Sequence, residues 1–549
     1  MTHQDEAPEA AESAGDRRRW IGLFFVALGV AAIIVDATIV NVAVPSIIDD
    51  LGISSSDAQW VQEAYTLVFA AFLLMFGRLA DRWGRKLLFC IGVVIFMGAS
   101  VLAAISQSGP ELIGARLIQG FGGALMLPTS LSIINATFRG KDRAIAFAIW
   151  GSTIGGTAAL GPLLGGWLTT SFSWRWAFGI NIPLGLIVLI GTLVFVHESR
   201  DPDAAGGVDV VGALLSVVGV GLIVFGLIEG RTYGWLTTLG EPNIAGVKWT
   251  APISPIPVAF AIGIVALIVF VTIERRRNAA GKPVLLDLSL FGIASFRNGN
   301  IAAGIASLGE FGLLFALPLW LQNVQGYSAF DTGKVLLALA GGSFLASGFG
   351  AQLTRSRGPV FVVRLGIGLE IIGVLGIGVV VSPTVSIWLV MLFLFIYGLG
   401  VGLATAQLTG VVLADVPVAA SGQGSGTQST TRQVGSALGI AVLGTVLFTG
   451  LGHQLNNKLE ANPAIPPAAR EQAVTTVVAT AGSIIPTLEK SPATQPIAQA
   501  AGEALSTATR WAAFAAGGFL ILGWFASLNL STPAGRMENP EVPQEATAS

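Results

Sequence analysis

Of 549 residues, 53% are hydrophobic and 11% charged, with a mean hydropathy of +0.74, whereas an average soluble domain carries roughly 25% charge. This excludes a water-soluble globular protein, and 30 Lys+Arg against 32 Asp+Glu excludes a disordered chain, which needs low hydrophobicity and high net charge. A net charge of -2 and pI near 6.0 argue against nucleic-acid binding, and one cysteine (Cys90) with three scattered histidines (His3, His197, His453) provides neither an intrachain disulfide nor a metal or cofactor site.

The composition is that of an all-α integral membrane protein. Residues 1–19 are acidic and polar up to Arg17, Arg18 and Arg19, and the apolar run behind them is too long for a signal-peptide core. They read as a cytoplasmic tail before a retained first helix. Since about 20 apolar residues cross a bilayer, spans are predicted near 20–46, 58–77, 87–106, 111–135, 143–169, 175–196, 209–229, 252–273, 298–320, 333–352, 360–381, 386–413, 427–449 and 511–530. The fourteen divide into an N-terminal six-helix half (20–197), an inserted pair with linkers (198–297) and a C-terminal six-helix half (298–530). A long outer loop (451–510) carries an amphipathic piece around 468–480 and otherwise reads as a surface hairpin, and 531–549 forms a second cytoplasmic tail.

Loop charges orient this plan. With the N-terminus inside, 20 of the 30 Lys and Arg residues fall on inner loops, from Arg17 to Arg19 through Arg275 to Arg277 and on to Arg536, which is the positive-inside pattern. Both termini are therefore expected on the cytoplasmic side.

Chemistry concentrates first in the turn between spans 2 and 3, Gly77-Arg78-Leu79-Ala80-Asp81-Arg82-Trp83-Gly84-Arg85-Lys86. Glycines permit a tight turn and close helix approach. Asp81 can face a helix N-terminus and Arg85 can pair with it, so Gly77, Asp81, Arg82, Gly84, Arg85 and Lys86 are the expected inner latch. Plain positive-inside topology would not require that spacing.

This turn resembles the helix 2/3 signature of the major facilitator superfamily, and three further stretches resemble its fourteen-helix drug:H+ antiporters. They are Asp36 to Pro45 in span 1, Arg116 to Ala124 in span 4, and Gly151 to Gly166 (GSTIGGTAALGPLLGG) in span 5. Trp174 to Trp176, Asn181 to Pro183 and Ser421 to Gly435 also read as that group's. The resemblance covers about 20–450 and implies two six-helix halves plus two inserted helices, alternating access, and proton antiport. In the second half the equivalent turn, Gly350 to Gly358, lacks the Asp, which implies an asymmetric latch.

The residues carry their own argument. A charge at the bilayer centre costs roughly 2.5–3.5 kcal/mol on insertion scales and so marks a functional candidate. Asp36 and Arg116 are expected to form a proton switch, with a static buried salt bridge as the plainer reading; Glu310 and Glu370 are further proton-coupling carboxylates, Glu370 with an interhelical hydrogen bond as its alternative. Glu63 and Glu229 lie near outer ends and read first as vestibule or cap residues. Five helix-borne acids against Arg116 and Arg432 favour a cationic ligand. Asp36, Glu310, Tyr65, Phe69, Trp150, Phe311 and Phe315 are candidate substrate contacts, the aromatic faces offering cation-π attraction, although packing or lipid contact is the commoner use of such rings. In span 5, Gly151, Gly155, Gly161, Gly165 and Gly166 allow close packing and Pro162 allows a bend; the resemblance ties that pattern to antiport.

The expected function is proton-coupled export of lipophilic, chiefly cationic drugs or dyes by a monomer in the cytoplasmic membrane. The alternative is export of an endogenous lipid, siderophore or antibiotic metabolite. An importer, a membrane enzyme and a sensor are the other rivals. The chain shows no nucleotide-binding loop, no catalytic constellation and no soluble output domain.

Overall fold

A computed structural model describes residues 6–530, apart from 54, 158–159, 201–208, 241, 245–246 and 462–464. The expected tail at 531–549 and most of the linker at 201–208 lie outside the described residues. The N-terminal half consists of α1 (Glu6–Leu51), α2 (Ser55–Trp83), α3 (Arg85–Ile105), α4 (Gly109–Thr137), α5 (Gly140–Thr157), α6 (Leu160–Ser171), α7 (Trp176–Gly179) and α8 (Asn181–Phe195). The inserted pair is α9 (Val210–Tyr233) and α10 (Pro255–Ala279), joined through the two-residue strands β1 (Asn243–Ile244) and β2 (Val247–Lys248), which pair antiparallel. The C-terminal half contains α11 (Ala294–Asn323), α12 (Ala329–Arg357), α13 (Pro359–Val380), α14 (Ile387–Leu413), α15 (Ser421–Glu460), α16 (Pro467–Ala479), α17 (Ile485–Leu488) and α18 (Gln495–Ser527).

Thirteen helices among the described residues are long and apolar enough to cross a membrane. The fifth expected span is present as α5 and α6, and the sixth as α7 and α8. Local chemistry sets several boundaries. Asp209 caps α9 by accepting from Gly212 N, Ser254 caps α10 ahead of Pro255, and Ser328 caps α12 by accepting from Asp331 N. Between α2 and α3 the chain turns at Gly84, whose φ of 116° suits glycine.

In the first half α4 packs on α2 and α3, and α1 on α6 and α8; in the second, α14 packs on α12 and α13, and α11 on α15 and α18. The halves meet where α2 and α4 touch α15, where α5 touches α12 and α14, and where α6 touches α12. The inserted α9 lies against α2 and α15, with α10 outside it. In its most apolar window α10 is 28% buried, against 78% for α4, so α10 is a lipid-facing helix and α4 an interior one. Ile262, Ile264, Val265 and Ile268 on α10 are all more than half exposed, as a bilayer permits and water does not.

Residues 451–510 are more helical than the expected surface hairpin. α15 runs on to Glu460, α18 begins at Gln495, and with α16 and α17 they enclose an apolar core of Leu451, Leu455, Leu459, Val477, Ile485, Ala501 and Leu505. Leu451, Leu455 and Leu459 recur every four residues, which puts them on one helix face and extends span 13 beyond the bilayer. Trp320 Nε1 donates to Ser506 Oγ at 3.0 Å, and Asn323 Nδ2 to the Ala481 carbonyl at 3.0 Å, fastening this cap to α11.

Candidate functional site

Asp36 is fully buried at the centre of the N-terminal half. Its Oδ2 accepts from Arg116 NH1 at 2.5 Å; its Oδ1 accepts from Gln119 Nε2 and Asn181 Nδ2, each at 2.7 Å. Gln119 Nε2 also reaches Ser100 Oγ at 2.9 Å, and Arg116 Nε donates to the Val61 carbonyl at 2.9 Å. The guanidinium lies 4.2 Å from the centre of the Tyr65 ring, which stacks on Phe69 at 5.8 Å. Five helices thus converge on one carboxylate, bringing together Asp36, Arg116, Tyr65 and Phe69. An ionised carboxylate accepting two amides and a guanidinium has its charge compensated. Gln119 and Asn181 fall inside the quoted motifs without an assigned role, and Ser100 is unmarked in the sequence. Each is a neutral polar side chain in an apolar run, the one signal available for them.

The second group of acids lies in the C-terminal half. Glu310 Oε2 accepts from Arg432 NH2 at 3.3 Å, and Tyr397 OH donates to the Glu310 carbonyl at 3.2 Å. Glu370 is fully buried, and neither carboxyl oxygen has a hydrogen-bond partner among the described residues. Phe315 meets Phe448 edge-on at 6.3 Å, Phe311 is half-buried, and Trp150 donates from Nε1 to Ser130 Oγ on α4 at 3.0 Å. Glu63 on α2 is half-buried and Glu229 on α9 is buried, on two helices that pack against each other.

The 77–86 turn closes against the other half. Asp81 is fully buried; its Oδ1 accepts from Gly422 N at 2.7 Å and its Oδ2 from Gln423 N at 3.0 Å, at the N-terminus of α15. Arg85 NH2 donates to Asp81 Oδ1 at 2.8 Å and to the Val418 carbonyl at 2.6 Å. A carboxylate at a helix N-terminus satisfies free N–H groups and opposes the helix dipole. Gly77 permits this approach, since a Cβ there would stand 2.2 Å from the Gly422 carbonyl oxygen. Lys86 Nζ donates to the Leu193 carbonyl at 2.8 Å, Glu198 accepts from the backbone of Lys86 and Leu87, and Arg82 is half-buried. On α4, Asn135 Nδ2 donates to Ser421 Oγ at 2.8 Å.

The span-5 glycines serve three contacts. A Cβ on Gly151 would meet Ala406 of α14 at 2.7 Å, one on Gly161 would meet Thr38 Oγ1 of α1 at 1.8 Å, and one on Gly166 would meet Phe330 of α12 at 3.1 Å. Gly165 is buried; the surroundings of Gly155 and Pro162 lie outside the described residues. At the C-terminal end of α1, Asp50 Oδ2 accepts from Arg175 NH1 at 2.5 Å and Trp174 Nε1 at 3.0 Å, and these donors hold its carboxyl below the ordinary range.

Two helical halves meeting across a seam of small residues, with charged groups buried in each, define a multi-pass membrane carrier. The fold matches that of the human organic anion transporter MFSD10 (TM-score 0.57, 15% identity, 93% of this chain and 99% of that one). It also matches that of a bacterial homologue of the lysosomal transporter Spinster (TM-score 0.53, 17% identity, 94% and 99%). The chain belongs to the Major Facilitator Superfamily, whose sequence profile matches residues 26–440. Among its relatives are a probable actinorhodin transporter of Streptomyces coelicolor, 35% identical over 80% of this chain and 74% of that protein, and the multidrug resistance protein Stp of Mycobacterium tuberculosis, 32% identical over 81% and 79%. The multidrug efflux pump LfrA of Mycolicibacterium smegmatis is 31% identical over 78% and 81%. The protein is a membrane transporter of small molecules.

Proposed function

We propose that this protein exports lipophilic organic compounds, cationic ones foremost, across the cytoplasmic membrane in exchange for protons. It works as a monomer with both termini in the cytoplasm. Residues 20–197 and 298–530 form the moving halves, with 198–297 inserted between them. The observation that carries the reading is Asp36, fully buried in α1 with Arg116, Gln119 and Asn181 arranged around its carboxylate. Protonating Asp36 removes its half of the ion pair and leaves Arg116 charged in a dry interior, a cost that a rearrangement of α1 against α4 relieves. Proton arrival thereby biases the carrier between its two faces.

Substrate charge follows from the other half, where Glu310 and Glu370 outnumber Arg432, so an organic cation relieves an excess of acid. The driving force suffices, because each charge crossing 100 mV is worth about 2.3 kcal/mol. The latch at Asp81 and Arg85 gates the inner face, and the α5–α6 glycines keep the seam tight while the halves rock. A dye-efflux panel in proteoliposomes, with and without a protonophore, tests the reading. Export of an ethidium-like cation should collapse with the protonophore; efflux indifferent to it removes proton coupling.

A second reading, export of an endogenous lipid, siderophore or antibiotic metabolite, is supported by two relatives: the actinorhodin transporter and the tetracenomycin C resistance and export protein of Streptomyces glaucescens, 31% identical over 85% of this chain. Loss of a secreted metabolite on deletion of the gene, with dye tolerance unchanged, favours it.

A further inference from the structure

The linker leaving the inserted helix pair ends on the inner latch. Beyond α10, Leu285, Leu286 and Leu290 are buried in an apolar cluster that also holds Phe138 and Phe147 of the N-terminal half and Val412 and Val416 of the C-terminal half. The linker backbone is held at two successive residues. Leu286 N donates to Glu274 Oε2 on α10 at 3.2 Å, and Asp287 N donates to Gln423 Oε1 on α15 at 2.7 Å. Gln423 itself is 5% exposed and gives its backbone N–H to Asp81. One residue therefore carries the latch on its main chain and the linker on its side chain. Behind it, Asp209 caps α9 and pairs with Arg277 near the end of α10 at 3.0 Å, fastening the inner ends of the inserted pair to each other.

We infer that Gln423 is a positioning residue of the inner gate, through which the linker of the inserted helix pair helps hold that gate shut. The linker buries its leucines in the apolar cluster that both halves share while it grips the second half through Asp287 N–H, so it bridges the two. It also fixes the first turn of α15, keeping the Gly422 and Gln423 N–H groups aimed at the Asp81 carboxylate. The inserted pair is in this view part of the gating machinery rather than a spacer. The inference rests on the alternating-access reading above.

The test uses the full-length protein in lipid nanodiscs with Cys90→Ser, and spin-label pairs at exposed sites: Arg139 with Ser356 for the inner face, Gln107 with Thr384 for the outer. Gln423→Met removes the acceptor while keeping the side-chain length. Loss of a buried hydrogen bond should raise the inner-open population about five- to tenfold, with a matching fall in the outer-open population. Gln423→Glu, which restores an acceptor, should return both distributions toward wild type. Asp81→Asn is the reference variant, opening the inner face by direct loss of the latch. If Asp81→Asn shifts the distances and Gln423→Met does not, or if Gln423→Met only lowers the melting temperature without reciprocal change at the two faces, the positioning role is refuted. If Asp81→Asn also shifts nothing, the latch reading itself has failed and the inference falls with it.

Discussion

Replacing Asp36 with Asn tests whether this carboxyl couples transport to protons as well as stabilising the fold. The substitution keeps shape but exchanges a carboxylate with three donors for an amide with one acceptor oxygen. Gln119 Nε2 and Asn181 Nδ2 both point at Oδ1, and Arg116 points at Oδ2, so one amide orientation sets an N–H group against Arg116 and the other sets it against both amides. The larger effect is on Arg116, fully buried and left without its counter-charge; breaking a buried pair from one side costs about 3–5 kcal/mol. Asp36→Asn should therefore lower thermal stability markedly and abolish efflux driven by a pH gradient. Combining it with Arg116→Gln removes the orphaned charge, so the double variant should recover most of the lost stability, giving a coupling energy of about 3 kcal/mol in a double-mutant cycle. Its proton-driven transport should stay absent, because no titrating group has been restored. Thermal unfolding in detergent and dye uptake into inverted vesicles measure the two quantities on the same preparations. Additive single effects would show that the pair is not energetically coupled, and a double variant that pumps with a normal pH dependence would refute the proton-switch argument.

Gly77→Val should keep the inner face from closing, since its side chain enters the space of the Gly422 carbonyl; labelling of inner-face cysteines should rise and maximal efflux fall about tenfold or more, whereas wild-type labelling rates would contradict the close-approach account. Glu310→Gln removes the partner of Arg432 and should impair cationic dyes several-fold more than neutral drugs in the same vesicles; equal loss for both would make Glu310 structural. For Asp50, whose folded pKa is depressed by Arg175 and Trp174, the stabilising contribution is complete above the ordinary value of 3.8 and is lost as pH falls through the lower folded value. The stability difference between wild type and Asp50→Asn should accordingly stay constant from neutral pH down to about 5 and shrink only in strong acid, as followed by melting temperature.

Hydrophobicity made the spans legible because a bilayer demands about 20 apolar residues at a stretch, and charges inside those stretches stood out for the same reason. Asp36, Arg116, Glu310 and Glu370 could be picked out singly on that ground. Their neighbours could not. Gln119, Asn181 and Ser100 are polar enough to hydrogen bond but too cheap to bury to signal a site, and they come from three different helices. Asp81 was conspicuous in a charged turn, whereas its principal partners are main-chain N–H groups more than three hundred residues away, which no side-chain pattern encodes. The continuation of α15 was visible as Leu451, Leu455 and Leu459, but proline and alanine further along 451–510 masked it as loop.

The unbroken course of α15 has a mechanical consequence. Its 40 residues make a rod of about 60 Å at 1.5 Å per residue, with one tip under the Asp81 carboxylate and the other in the cap it forms with α16, α17 and α18. A tilt of about 10° around its midpoint swings each tip by about 5 Å in opposite senses. A stiff lever of this length carries a displacement at one end of the molecule to the other, and a molecule that clamped the cap would hold the far tip still without ever entering the space between the halves.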